Sequence, residues 1–152
     1  MVLNNKFNTV DFEFLDGVNQ VLDQVESTKD ECVLVTISSN QKVFSSGFNL
    51  NFWQEATENK PLSISMMQRL MARILTLNVP TMCICNGHTI AGGFMLALSH
   101  DQLLMKNDPS IKVWLNEMQV GVVMPIGMAN FLFKLMNPTV ARYLLTANVI
   151  NP

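Results

Sequence analysis

The sequence predicts an α/β fold. Two observations carry that expectation: short runs rich in β-branched and apolar residues, 32–37 and 81–85, and longer segments whose apolar residues recur at three and four. Strands alternating with helices imply a sheet covered by helices. At 152 residues the chain has length for one domain, residues 1–152, and none for a second of typical size.

Taken in order, Asn8 and Thr9 offer caps, with Asp11 and Glu13 in a first turn, where the helix dipole favours carboxylates. Leu15, Val18, Leu22 and Val25 follow at helical spacing, so 10–27 reads as an amphipathic helix. Cys32-Val33-Leu34-Val35-Thr36-Ile37 is a continuous apolar run, the pattern of a parallel strand buried on both faces. Residues 38–42 form a turn. A second helix is expected over 62–78, with Ile64, Met67, Leu70, Met71, Ile74 and Leu77 on one face. It ends before Pro80, whose ring disfavours helical geometry in the preceding residue. Residues 81–85 form a second buried strand. Residues 92–98 open a third helix, apolar all round and therefore central. Residues 101–105 and 111–115 read as further strands. Helices over 125–136 and 138–147 close the chain, with Pro138 in a first turn, where its missing N–H is harmless.

Composition narrows the class. Charged residues make up 14% of the chain, against a usual share of about 25%. Much of the surface is therefore expected to be covered, by a partner subunit or by further segments. Eleven methionines agree, since Met suits adaptable apolar contacts. A net charge of -2 gives no basis for nucleic-acid binding. Cys32, Cys83 and Cys85 lie in apolar runs and read as reduced, buried thiols of an intracellular protein. They lack the partners of a zinc site, and His88 and His100 lack a carboxylate motif, so no metal is expected. No run approaches the ~18–20 apolar residues of a membrane span. Neither a signal or transit pattern nor a peroxisomal tripeptide is visible.

The chemistry concentrates in two glycine turns about forty-five residues apart, Phe44-Ser45-Ser46-Gly47-Phe48-Asn49-Leu50 and Asn86-Gly87-His88-Thr89-Ile90-Ala91-Gly92-Gly93. Each follows a strand-like run, and the second leads into the central helix. Two main-chain N–H groups aimed at one point from such turns make an oxyanion hole. Glu117, in a third loop, supplies a carboxylate. A single loop glutamate is more often a solvated cap than a base, so its weight comes from its company. Ser99-His100-Asp101 suggests a triad, but adjacent residues cannot converge on one substrate atom. A histidine at the C-terminal carbonyls of a helix is the better reading.

Three segments in this order and spacing carry a resemblance: 43–50, the stretch 86–101 ending Ala97-Leu98-Ser99-His100-Asp101, and Trp114-Leu115-Asn116-Glu117-Met118-Gln119-Val120-Gly121. The chain resembles the crotonase (enoyl-CoA hydratase/isomerase) superfamily, most nearly its Δ3,Δ2-enoyl-CoA isomerases. The resemblance implies a crotonase-like fold of repeated ββα units. It implies that the first strands, before the asparagine that Asn5 resembles, and the C-terminal helices after 144–148 fall outside the chain. By the same resemblance, the N–H groups of Phe48 and Gly92 would hold a thioester oxygen and Glu117 would move the proton. Ser46, Asn49, Leu50, Gly93 and His88 would lie on the acyl-CoA.

Hydratases of this superfamily use a second glutamate, where this chain has Met95; one base suffices for isomerisation. The resemblance therefore implies conversion of 3-enoyl-CoA to 2-trans-enoyl-CoA in fatty-acid β-oxidation. Met118, Val120, Val122 and Val123 are expected to desolvate Glu117 and raise its pKa. No cofactor is implied beyond the coenzyme A of the substrate. An oligomer, a trimer by resemblance, and a mitochondrial or peroxisomal setting are implied too. Two other readings stand beside this one: a crotonase-fold subunit without activity that serves a larger assembly, and a different acyl-CoA reaction such as thioester hydrolysis or dehalogenation.

Overall fold

The computed structural model describes all of residues 1–152. Sixteen elements follow one another: β1 (Val2–Leu3), β2 (Thr9–Val10), α1 (Phe12–Ser27), β3 (Leu34–Ser38), β4 (Val43–Ser45), β5 (Gly47–Phe48), α2 (Leu50–Glu55), α3 (Asn59–Leu75), β6 (Thr81–Cys85), β7 (His88–Ile90), α4 (Gly92–Leu98), β8 (Gln102–Met105), β9 (Val113–Trp114), α5 (Ile126–Leu135), α6 (Pro138–Leu145) and β10 (Val149–Ile150).

Successive strands go to different sheets. β1, β3, β6 and β8 form one four-stranded parallel sheet, with Thr36 beside Cys83 and Cys83 beside Leu103. β4, β7 and β9 form a second, also parallel, which β10 closes in antiparallel fashion. A two-stranded pair, β2 with β5, ties the start of α1 to the first glycine turn. Each step from β3–β4 to β6–β7 to β8–β9 therefore climbs one strand in both sheets, a coil of ββα units. This is the α/β crotonase-like architecture that the sequence implies.

The core lies between the sheets and helices. Leu15 and Leu22 of α1, Met67, Leu70 and Ile74 of α3, and Met95 and Leu96 of α4 are fully or almost fully buried. α4 is buried from Gly92 to Ala97, as its uniformly apolar sequence predicts. On β3 and β6, burial holds for one face only: Leu34, Thr36, Thr81, Cys83 and Cys85 are buried, whereas Val35, Ile37, Met82 and Ile84 are half-buried. The expectation of two buried faces is corrected there, because the alternate residues keep part of their surface exposed.

The start of α1 is also corrected. Its cap is Asp11, whose side chain accepts from the Phe14 N–H at 3.0 Å, while Thr9 and Val10 belong to β2. Asn8 has another task. Fully buried with φ 46°, it donates from Nδ2 to Ser38 Oγ and to the Phe44 carbonyl, both at 2.8 Å, and its Oδ1 accepts from the Asn5 N–H. Asn8 thereby fixes the segment before α1 to the end of β3 and the middle of β4. α3 begins three residues earlier than the periodicity suggests and stops at Leu75.

Candidate active site

The two glycine turns touch. Gly47 has φ 81°, and a Cβ placed on it would lie 2.8 Å from the Ala91 Cβ and 3.0 Å from the Gly92 nitrogen. A Cβ on Gly93 would lie 2.5 Å from that of Ser45. Only glycine allows these backbones to approach so closely. The Phe48 ring covers Gly92, within 3.2 Å of where a Cβ would stand. Within the second turn Ala91 adopts φ 49° and ψ −124°, a region that side-chain-bearing residues rarely occupy. Strain of this kind clusters at functional sites.

Beside the turns opens a narrow cavity of about 60 Å³. Ser46 and Phe48 line it from the first turn and Ala91 from the second. Leu50 and Trp53 of α2 and Ile64 of α3 form another wall. The segment from Asn116 into α5 supplies the rest, including Glu117, Val122 and Met128. Glu117 is the one titratable group on this surface. Its Oε2 is buried with no hydrogen-bond partner, and burial raises its pKa above the usual glutamate range. The backbone that holds it is a tight turn, in which the Glu117 carbonyl accepts from the N–H groups of Val120 and Val122.

That turn divides the four apolar neighbours expected around Glu117. Val120 and Val122 line the cavity with it, but the side chains of Met118 and Val123 are largely exposed. Phe48, Trp53, Ile64 and Met128, which arrive from other elements, complete the apolar lining.

The remaining sequence candidates stand behind the lining. Asn49 caps α2, accepting from the Phe52 N–H at 3.2 Å. Gly93 is buried against Ser45. His88 faces β9: its Nδ1 accepts the Lys112 N–H at 3.1 Å. The residue missed in the sequence is Trp53, whose only signal was an aromatic five positions after Phe48.

Ser99, His100 and Asp101 each have separate structural partners. Ser99 Oγ donates to the Met95 carbonyl, and Asp101 Oδ2 accepts from both the N–H and the hydroxyl of Thr81. His100 bonds the Leu96 carbonyl through Nδ1 (3.1 Å) and the Thr36 hydroxyl through Nε2 (2.8 Å). Cys83 and Cys85 are free, buried thiols with sulfurs 3.8 Å apart. No helix is long and apolar enough to cross a membrane.

Comparison with known proteins agrees with this architecture. The chain is 30% identical over 112 residues to enoyl-CoA delta isomerase 2, peroxisomal, of Arabidopsis thaliana, a match covering 69% of the chain and 46% of that protein. It is 32% identical over 118 residues to enoyl-CoA delta isomerase 3 of the same plant, covering 72% and 49%. The chain thus spans about half the length of these relatives. Among solved structures, an enoyl-CoA hydratase/isomerase family protein from Pseudomonas syringae superposes with a TM-score of 0.92 at 25% identity, over 99% of this chain and 65% of that one. The sequence pattern of enoyl-CoA hydratase/isomerase runs through residues 1–152, so the chain belongs to the enoyl-CoA hydratase/isomerase family.

Proposed function

We propose that this chain isomerises enoyl-CoA thioesters, converting 3-enoyl-CoA to 2-trans-enoyl-CoA in fatty-acid β-oxidation. The observation that carries the reading is Glu117: a lone carboxyl group in an apolar cavity, with one oxygen unpartnered and its pKa raised by burial. A base whose pKa is lifted toward the working pH takes up and returns a proton efficiently. With the thioester oxygen held by the N–H groups of Phe48 and Gly92, Glu117 removes the α-proton and the charge moves onto that oxygen. The carboxyl group then delivers the proton to the γ-carbon, and the double bond shifts into conjugation. Atoms and electrons balance without a co-reactant, so no cofactor is required beyond the coenzyme A of the substrate.

Met95, at the position where the resemblance puts the second glutamate of hydratases, is fully buried and can neither give nor take a proton, which supports one-base chemistry over water addition. Ser46 and Leu50 contact the acyl-CoA, with Asn49, Gly93 and His88 shaping the turns behind. The peroxisome is the proposed compartment, from the name of the plant relative, with the mitochondrion as second choice. The test is the absorbance of the conjugated thioester formed from a 3-enoyl-CoA, with Glu117→Gln as control. Conversion by the native chain and a loss of ~10²–10⁴ in the variant are expected. Equal rates for the two would overturn the role of Glu117.

A second reading has its own observation. Met118, Val123 and Ile126 form an exposed apolar face, as a subunit surface of a larger assembly would. A chain that binds no acyl-CoA yet associates through this face would serve as a structural subunit.

A further inference from the structure

We infer that Trp53 sets an upper limit on acyl length, making this a site for short-chain thioesters; the inference rests on the acyl-CoA reading of the same cavity. Room is the first argument. The partly open cavity, about 60 Å³ beside the glycine turns, holds roughly four to six water-sized groups, so a long acyl chain must continue past its walls. The second is the continuity of the wall. The Phe48 ring, packed over Gly92, lies 5.0 Å from the Trp53 ring, so a chain leaving a carbonyl at the glycine turns runs along Phe48 and meets the indole.

The third argument is that the indole is held. Its Nε1–H donates to Ser63 Oγ at 2.8 Å, and Ser63 is fully buried in α3. The Ser63 hydroxyl in turn donates to the Lys60 carbonyl at 3.1 Å, and the Lys60 ammonium stands 5.3 Å from the indole centroid. Moving the ring aside would break a hydrogen bond, a ring–ring contact and a cation–π contact together, so the side chain acts as a fixed wall.

The test measures affinity by calorimetry for butyryl-, hexanoyl- and decanoyl-CoA, saturated ligands that bind without reacting. Native chain, Trp53→Ala, Trp53→Phe and Ser63→Ala are compared, each checked by circular dichroism. The native chain is expected to bind hexanoyl-CoA at least tenfold more tightly than decanoyl-CoA. Trp53→Ala should remove that gap. Trp53→Phe, which keeps a ring against Phe48, and Ser63→Ala, which frees the indole, should narrow it and remain informative if the alanine variant does not fold. Decanoyl-CoA bound as tightly as hexanoyl-CoA by the native chain, a gap unchanged in the variants, or no binding at all would overturn the inference. Isomerisation is read separately: a chain that discriminates by length but moves no double bond defeats the proposed reaction and leaves the role of Trp53 standing.

Discussion

A buried carboxyl oxygen without a partner is unfavourable when ionised, and at Glu117 that cost is retained rather than relieved by a neighbouring donor. It has a consequence for stability as well as for chemistry. The folded state holds the proton more tightly than the unfolded chain does, so stability falls as pH rises from the ordinary glutamate value of 4.5 through the raised one. Glu117→Gln, which stays neutral, should therefore match the native melting temperature near pH 4 and exceed it at pH 8. Melting curves at the two pH values check this, and a variant that is less stable at pH 8 would contradict the burial argument. In the sequence this residue stood out only through the resemblance carried by the three segments, and the structure places it on the cavity lining. Its surroundings were only half legible: Val120 and Val122 face the cavity as expected, whereas the turn closed on the Glu117 carbonyl sends Met118 and Val123 outward. Trp53 was not legible, because its importance arises from Phe48 and Ser63, which reach it through tertiary packing.

Among elements, the long and strongly patterned ones could be read directly: α1, α3, the central α4 and the strands β3 and β6 appear within a few residues of their expected places. The two-residue strands β1, β2, β5 and β10 could not, since a pair of residues carries no periodicity and exists only through its partner strand. The turn joining β4 to α2 depends on such a pair. Gly47→Ala would place a side chain at φ 81° and press it onto Ala91 and the Gly92 nitrogen, at a cost of ~1–3 kcal/mol from the backbone alone. Urea denaturation should show that loss, and acyl-CoA affinity should fall with it; a variant equal to the native chain in both would mean that the two turns are not held in contact. β3 is tied to the end of α4 by Thr36 and His100. Burial lowers the His100 pKa, so the folded protein keeps the ring neutral while the unfolded chain takes up a proton below about 6.5. Stability from this group is present above that value and declines as pH falls. Thr36→Val leaves His100 Nε2 without a donor and is expected to destabilise by ~1–3 kcal/mol at neutral pH. An unchanged urea midpoint would show that the bond contributes nothing.

At the scale of the whole molecule, the low charge of the sequence raised the expectation that much of the surface is covered. The structure carries several large apolar side chains in the open. Val123 is 86% exposed, Ile126 80% and Met118 66%, all around the loop that carries Glu117 and the start of α5. Large apolar side chains grouped in this way tend to be covered by another surface, since each loses roughly 1.5–3 kcal/mol of unfavourable hydration when fully buried. A second copy of the chain is the partner always at hand, and a face close to Glu117 would couple association to the shape of the cavity. Sedimentation velocity should therefore show mass rising with concentration for the native chain. The double variant Val123→Lys, Ile126→Lys should sediment as a monomer, because two desolvated ammonium groups would oppose the contact. The same variant should keep the native circular dichroism, as neither side chain contributes to the core. A native chain that remains monomeric at every concentration would show instead that this face is not a contact between copies, and acyl-CoA binding would then have to be explained from a single copy.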